Sequence, residues 1–331
     1  MKIAFVGVKR KYQELNKGYS YFFDRFHLEI PWYYSYYGEN DVTLTTVDQN
    51  DNDSVLRHQT EKTFITAKEK YDVVIHWRKW FPELYVDGAI NLLHTCDHSY
   101  SSEWKDAVVG AANRKELNGI LCYKTWHERQ LKQEIPLPPE MFHSGYTFGV
   151  DTNVYGPAEN KDPHQMLWAS DPGRGLLLAT QLAIVMHQLD KEFKLNVCYP
   201  DYVNGVSRIK HPAISYYDNV SNGQVLWSLF NVCGILPYTS TFKEPSSRAY
   251  RQAQAAGSLV LYPPNMGTPS EVINNFRDGV VAGIHEWPKL ILENVNNGNW
   301  KKIGKNARDL AVSEDWKVQA TRFNKLIADW R

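Results

Sequence analysis

The sequence lacks the features that mark membrane-spanning, secreted and zinc-binding proteins. No stretch approaches the ~18 consecutive apolar residues of a membrane-spanning helix, and the N-terminal apolar run is too short for a signal peptide. No C-x-x-C pair occurs among the four cysteines, Cys96, Cys122, Cys198 and Cys233. We therefore expect a cytoplasmic protein with reduced, mostly buried thiols and at most peripheral membrane contact.

The sequence also lacks an excess of charge of either sign. Lys and Arg together number 37, as do Asp and Glu. Binding to duplex nucleic acid normally needs a basic surface, so a nucleic acid is possible as a partner but not favoured. No G-x-G-x-x-G follows the first strand of either half, which disfavours a Rossmann dehydrogenase.

What the sequence does contain is a regular alternation of apolar strands and helix-length segments. At 331 residues, two domains are the natural expectation. In the first half the expected strands are 2–8, 42–48, 71–77, 90–96 and 119–123. Their spacing leaves room for helices and predicts an α/β fold with a doubly wound parallel sheet.

The pattern restarts after a proline-rich segment, 134–163, in which we place the domain junction. The second half has expected strands at 164–170, 194–200, 213–219, 234–240 and 258–264. Its expected helices cover 176–192, 225–233, 269–277 and most of 285–312. A final amphipathic helix, 314–330, carries Trp316, Phe323, Leu326 and Ile327 on one stripe. The boundaries follow as 1–147, 148–313 and 314–331.

Ligands of such sheets bind outside the carboxyl ends of the strands. In the second half, Arg174 lies in S-D-P-G-R-G after a strand and directly before a helix. A guanidinium beside free helix N–H groups suits a diphosphate, although a solvated Arg in a turn has the same sequence. Lys243 is a candidate second cation. Ser246 and Ser247 could donate hydroxyls at the next helix start, or Ser246 could be only an N-cap.

A carboxylate precedes that helix start. In FKEPSSRAYRQAQAAG (242–257), Glu244 stands ahead of an Ala-rich helix, and Gln252 follows eight residues later. A carboxylate beside an anion-binding helix start can accept hydrogen bonds from sugar hydroxyls. The alternative is that Glu244 only favours the helix dipole and that the alanines only pack.

Three motifs together resemble a known family. FGVDTNVYGP (148–157), WASDPGRGL (168–176) and 242–273 occur in the order and spacing of retaining GT-B glycosyltransferases, and the chain resembles family 4, the glycosyl transferases group 1 type. The resemblance covers residues 148–280 well and the N-terminal half only in strand order. It implies two Rossmann-like domains facing across a cleft, an acceptor domain followed by a donor domain, and a C-terminal helix that crosses back to the first.

The resemblance also assigns roles in the donor domain. It implies that Arg174 and Gly175 grip the donor diphosphate and that Glu244 contacts the donor sugar. Gln252 replaces a glutamate that holds the ribose in the family. An Arg of the family is missing at Ser170, with Lys243 as its candidate replacement. The remaining donor-site candidates are Tyr199, Asn219 and Val220, of which the last two lie where the base is selected.

In the N-terminal half the resemblance implies that a histidine near the end of one strand contacts the donor sugar or the reacting centre. His98 and Asp97 are the candidates, with a surface turn as the alternative. Lys17 and Gly18 correspond to a donor- or acceptor-binding loop. The aromatic segment 21–38 and HWRKW (76–80) could line the acceptor side, and the former could instead pack in the core or lie on a membrane.

The function that follows is transfer of a sugar from a UDP- or GDP-sugar to a glycan, lipid-linked or other hydroxyl acceptor, with retention. Arg174, Lys243 and helix N–H groups would stabilise the leaving diphosphate, so neither a metal nor a cofactor is expected. The alternatives are a phage-type DNA-base glycosyltransferase and a non-catalytic nucleotide- or sugar-binding protein of the same fold. A GT-B epimerase would need clustered carboxylates, which the sequence does not offer.

Overall fold

The structure, a computed structural model, describes residues 1–8, 41–46, 57–60, 63–65, 70–97, 99–146, 149–199, 207–217 and 223–330. They form two compact units. The first takes the described residues up to position 146 together with those from Trp316 onwards, and the second takes Gly149–Asp315.

The first unit is built on a seven-stranded parallel sheet of order β3-β2-β1-β4-β5-β6-β7. Its strands are β1 (Lys2–Val8), β2 (Asp41–Thr46), β3 (Arg57–Thr60), β4 (Val73–Trp77), β5 (Ile90–His94), β6 (Gly119–Tyr123) and β7 (Phe142–Tyr146). The side chains of β4 and β6 are buried throughout. Continuous burial is what a parallel sheet covered on both faces requires.

Two helices follow strands of this sheet. Helix α1 (Ser102–Asn113) follows β5, and Ser101 caps it by accepting a hydrogen bond from the amide of Trp104. Helix α2 (Lys124–Glu134) follows β6 directly. Both helices therefore begin at the carboxyl edge of the sheet, as in other doubly wound folds.

The C-terminal helix also belongs to the first unit. It runs over Trp316–Ala328 and is labelled α9 here, after the helices of the second unit. Trp316, Phe323 and Ile327 are buried against residues of the central strands, and Leu326 packs beside them. The predicted amphipathic stripe is confirmed, because these apolar side chains share one face of the helix.

The second unit has a six-stranded parallel sheet of order β10-β9-β8-β11-β12-β13. Its strands are β8 (Asp162–Ala169), β9 (Lys194–Cys198), β10 (Ile214–Tyr217), β11 (Cys233–Pro237), β12 (Leu259–Tyr262) and β13 (Val280–Val281). Its helices are α3 (Leu176–Leu189), α4 (Gly223–Val232), α5 (Arg248–Ala255), α6 (Thr268–Val272), α7 (Trp287–Asn296) and α8 (Asn299–Val312).

Two expectations need correction. The segment 134–163 is not only a linker, because it contains β7, which pairs with β6. The helix expected over 269–277 ends at Val272, where the carboxylate of Asp278 accepts hydrogen bonds from Asn274 and ties the chain into a turn. The helices expected within 285–312 are confirmed: α7 and α8 cover most of this range, and Gly298, whose φ of 74° is not helical, separates them. Strands β3, β7 and β13 were not expected.

Two expectations from composition can be compared with the structure. Within the described ranges, no helix is long and apolar enough to cross a membrane. All four cysteines are free thiols, and Cys122, Cys198 and Cys233 are buried while Cys96 is partly exposed. Burial raises the pKa of Cys198 and of Cys233 to about 12, so these thiols stay protonated.

Candidate functional site

The candidate site lies at the carboxyl edge of the second sheet, where the strand order reverses. After β8 the chain builds β9 and β10 on one side, then returns to place β11 on the other. Ligands of doubly wound sheets bind in the crevice at such a reversal. The turn with Arg174 follows β8, and the segment with Glu244 follows β11. Topology therefore brings two predicted site residues to one place.

Arg174 and Glu244 are in direct contact. Arg174 Nη1 donates a hydrogen bond to Glu244 Oε1. The side chain of Arg174 is 42% exposed, whereas that of Glu244 is 6% exposed. Burial opposes the charge on Arg174, but the attraction of Glu244 and Tyr238 outweighs it and raises the pKa of Arg174. The pair is thus a fixed cation with a solvent-facing side, held by a buried carboxylate.

The turn that carries Arg174 depends on a glycine. Residues Pro172–Arg174 form a 3-10 turn, and Gly175 follows with φ 95°. A Cβ at Gly175 would collide with the carbonyl of Thr239, and the Thr239 hydroxyl donates to the Gly175 carbonyl at 2.7 Å. Only glycine allows both this φ and this approach. Gly175 is also the N-cap of α3, and it has no side chain to cap the first N–H groups of the helix.

The backbone of Glu244 is held by a neighbouring loop. Its N–H donates to the carbonyl of Met266, and its carbonyl accepts from the N–H of Thr268, both at 2.9 Å. Gly267 lies between them with φ 95°, and a Cβ there would collide with the Glu244 backbone. The predicted segment 242–257 is therefore joined to residues 266–268 through the backbone of Glu244.

Tyr238 is a site residue that the sequence reasoning missed. Its hydroxyl donates to Glu244 Oε1 at 3.2 Å, and its ring stacks on Tyr262 with centroids 5.0 Å apart. Burial and the charge of Glu244 raise the pKa of Tyr238, so it remains a hydrogen-bond donor. A Tyr near the carboxyl end of the predicted strand 234–240 was the available signal.

The helix that follows Glu244 differs in detail from the expectation. Helix α5 starts at Arg248, so its N-cap is Ser247 and not Ser246, and no side chain caps it. Ser247 is buried and Ser246 is half-buried. Gln252 is 7% exposed, and its side-chain amide has no hydrogen-bond partner in the described part of the chain. An amide in that position can both donate and accept, unlike a carboxylate.

The other donor-site predictions are spread over the same unit. Ser170 directly follows β8 and is half-buried. Tyr199 follows β9, and its hydroxyl accepts a hydrogen bond from Arg208 Nε at 3.0 Å. Lys243 is exposed beside Glu244. Asn219 and Val220 lie outside the described residues.

In the first unit, Asp97 forms an ion pair with Arg78. Asp97 follows β5, and its carboxylate accepts two hydrogen bonds from Arg78, which follows β4. The hydrogen bond with Asp97 raises the pKa of Arg78. A role for Asp97 at the reacting centre stays a prediction. His98, Lys17 and Gly18 lie outside the described residues.

One group of side chains in the described ranges has the spacing of metal ligands. The ligand atoms of His164, Asp190 and Glu192 lie within 4.8 Å of one another. His164 stands near the start of β8, and the two acids lie between α3 and β9. This group is at the amino edge of the sheet, opposite to Arg174 and Glu244.

No protein-family profile and no curated protein matches the sequence. Several solved structures match the fold over nearly the whole chain. HepE from Anabaena, solved with UDP and glucose, is 15% identical with a TM-score of 0.68, and the match covers 99% of this chain and 100% of that chain. A glycosyltransferase from Rickettsia africae is 14% identical with a TM-score of 0.70, covering 99% and 98%.

Sucrose-phosphate synthase from Thermosynechococcus elongatus is 13% identical with a TM-score of 0.67, and the match covers 100% of this chain and 99% of that chain. At such identities the likeness shows the fold, and it confirms the fold class predicted from the sequence. The structural neighbours of this chain are GT-B glycosyltransferases, and the chain itself has the GT-B fold.

Proposed function

We propose that the protein is a glycosyltransferase that moves a sugar from a nucleoside diphosphate sugar to a hydroxyl acceptor, with retention and without a metal. The observation that carries the proposal is the contact between Arg174 and Glu244 at the strand reversal of the second sheet. UDP-glucose is the first donor to test, because HepE was solved with UDP and with UDP-glucose.

The proposed chemistry separates the roles of the two residues. The bond from the anomeric carbon to the diphosphate breaks, and negative charge develops on the leaving oxygen. Arg174, the uncapped first turn of α3 and the exposed Lys243 supply positive charge for it. Glu244 accepts hydrogen bonds from the donor sugar hydroxyls. Tyr238 and the backbone of 266–268 hold that carboxylate in place.

A non-catalytic nucleotide- or sugar-binding protein is the second candidate, and Gln252 favours it. A neutral amide stands where the family has a carboxylate for the ribose, so the hydrogen bond to the ribose loses its charge assistance. Such a protein would still bind the nucleotide through Arg174. The two candidates therefore differ in turnover and not in nucleotide binding.

The deciding experiment measures binding of UDP, GDP, ADP, CDP and dTDP by calorimetry, followed by transfer and hydrolysis assays with the matching nucleotide sugar. We expect one diphosphate to bind. We expect Arg174→Ala to weaken it by about 1–3 kcal/mol, the usual cost of a lost charged hydrogen-bond partner. Arg277→Ala, an exposed cation on another loop of the same unit, is the matched control and should leave binding unchanged.

The outcomes separate the candidates. Binding with turnover of the nucleotide sugar supports the transferase. Binding without any turnover, for the panel of matching sugars, supports the binding protein. If no nucleoside diphosphate binds, or if Arg174→Ala and Arg277→Ala behave alike, the donor-site proposal is wrong. Turnover that survives a chelator supports metal independence, and turnover lost to it contradicts that part alone.

A further inference from the structure

The first sheet has its own strand reversal, and a second arginine stands beside it. The order reverses between β1 and β4, since β2 and β3 lie on one side and β4 to β7 on the other. Arg78 is the residue directly after β4. The general rule for ligand crevices therefore applies to Arg78 as it does to Arg174.

The backbone of Arg78 is fixed on both sides. Its φ is 65°, in the left-handed region that is uncommon for residues other than glycine. Its N–H donates to the carbonyl of His94 at 2.8 Å. Its carbonyl accepts a hydrogen bond from the indole Nε1 of Trp104 in α1, also at 2.8 Å. These two hydrogen bonds fix the backbone of Arg78 and therefore the position of its Cβ.

The side chain is oriented as well. Arg78 Nε donates to Asp97 Oδ2 at 2.9 Å, and Nη2 donates to Oδ1. This two-point contact fixes the plane of the guanidinium. The remaining nitrogen, Nη1, has no hydrogen-bond partner among the described residues, and the side chain is 47% exposed. Its unused donors can therefore reach a ligand.

Other charged groups stand at the same edge. Lys79 is exposed, with Nζ 4.9 Å from the ring centroid of Phe81. Lys124 is the first residue of α2, directly after β6. The facing acidic groups are Asp97, which is already bound to Arg78, and Glu103 in the first turn of α1. The carboxylate of Glu103 is hydrogen-bonded to Ser101. Of the charged residues named here, three are cations and two are acids, although the whole chain is neutral.

We propose that Arg78, positioned by Asp97, forms a subsite for an anionic group of the acceptor, and that this group is a phosphate. The inference rests on the proposed transferase function, since it concerns the substrate that receives the sugar. A planar guanidinium with unused N–H groups matches the oxygens of a phosphate, and Lys79 adds a second charge. Because Asp97 has already ordered the side chain, binding costs little further rotamer entropy.

The test uses the full chain saturated with UDP, so that the donor phosphate site is filled. Inorganic phosphate is titrated against chloride at constant ionic strength, and the Nε–Hε signal of Arg78 and the amide signals of 78, 79 and 124 are followed by NMR. We expect a saturable shift. In Arg78→Met the dissociation constant of phosphate should rise at least about fivefold over the wild type. The constant of Arg78→Lys should lie between those of the wild type and Arg78→Met.

Lys115→Met is the matched control. Lys115 is also an exposed cation with positive φ, 60°, but it follows the carboxyl end of α1 and lies at the opposite edge of the sheet. It should leave phosphate binding unchanged. Asp97→Asn tests the positioning role, and it should weaken phosphate binding less than Arg78→Met while broadening the Arg78 signal. Melting temperatures of all variants identify any that fail to fold.

Two further arms distinguish the source of the phosphate. Glucose 6-phosphate is compared with glucose, and phosphatidylglycerol vesicles are compared with phosphatidylcholine vesicles. An Arg78-dependent preference for the phosphate-bearing or anionic member in either arm supports the subsite and names its source. The proposal is overturned if phosphate gives no saturable shift at Arg78, or if Arg78→Met and Lys115→Met bind it equally. Loss of UDP binding alone would instead contradict the donor site in the second unit.

Discussion

Arg174 Nη1 donates a hydrogen bond to Glu244 Oε1 across 70 residues of sequence. The two side chains follow different strands, β8 and β11, which are neighbours in the sheet. The contact means that the cation proposed for the diphosphate and the carboxylate proposed for the sugar hold each other before any donor is bound. A bound donor must either share Arg174 with Glu244 or replace Glu244 as the partner of Arg174.

Glu244→Gln separates these roles. The amide can still accept from Tyr238, but it no longer attracts the guanidinium as a charge, so Arg174 becomes freer for phosphate. We expect UDP to bind as well as or better than in the wild type, by up to about threefold, while sugar transfer falls by ~10²-fold or more. Calorimetry and initial rates check this. Weaker UDP binding in Glu244→Gln would contradict the competition.

Gly175→Ala should be strongly destabilising. The added Cβ would adopt a φ of 95° and collide with the Thr239 carbonyl, so either the turn or the segment after β11 must move. We expect a loss of more than about 2 kcal/mol in the free energy of unfolding, measured in urea, together with loss of UDP binding.

Gly298→Ala is the control for that prediction. Gly298 has a similar φ of 74°, but a Cβ there would have no atom within 4 Å. It should cost only the backbone conformational penalty of about 1 kcal/mol and leave UDP binding intact. Equal losses for the two variants would mean that the contact with Thr239 does not matter.

Arg251 of α5 and Glu314 form a buried ion pair in the second unit. Their side chains are 2% and 8% exposed, and Nη2 lies 2.6 Å from Oε2, close as an ion pair but poorly aligned as a hydrogen bond. Glu314→Gln leaves a buried guanidinium without its counter-charge, so we expect a loss of about 3 kcal/mol in urea unfolding. Replacing both residues, as Arg251→Met with Glu314→Leu, should recover most of that loss.

The exposed pair Lys305–Asp309 provides the comparison. Its side chains are 74% and 63% exposed, and the two residues are four apart on α8. Asp309→Asn should leave the urea midpoint unchanged, because water screens such pairs. If Glu314→Gln also left the urea midpoint unchanged, the buried pair would not stabilise the unit.

Lys161 makes the stability of the second unit depend on pH. Its Nζ donates to the carbonyls of Phe230 and Asn231 at the end of α4, and burial lowers its pKa from 10.5 to about 7. Between these values the unfolded chain holds a proton that the folded chain has released. The contribution of Lys161 to stability therefore rises with pH through this window and is least favourable below it.

The measurement compares the wild type with Lys161→Met. From about pH 6.5 to about pH 9, the wild type should gain on the order of 1–3 kcal/mol relative to the variant. Lys301→Met, at an exposed lysine on α8, should show no such trend. A constant difference between wild type and Lys161→Met would show that Lys161 is charged throughout.

Most of the fold could be predicted from local pattern. The strands at 2–8 and 119–123 were predicted at their observed bounds, and the other expected strands overlap the observed ones. Buried parallel strands are short apolar runs between helix-length segments, which makes them recognisable. Strands β3 and β7 were not predicted because RHQT is polar and FHSGY mixes polar and apolar residues without a strand pattern. They lie at the two ends of the sheet, where a strand pairs with a neighbour on one side only.

For the candidate site, local sequence was enough to predict which chemical groups are present: Arg174 before one helix, Glu244 ahead of another, and the glycines that their turns require. It could do so because turns, caps and helix starts depend on neighbouring residues. Three contacts could not be predicted and were found only in the folded chain: Glu244 pairs with Arg174, Asp97 orients Arg78, and Arg251 forms a buried ion pair with Glu314. These partners lie on separate strands and helices, and their contact depends on strand order, which local sequence does not encode.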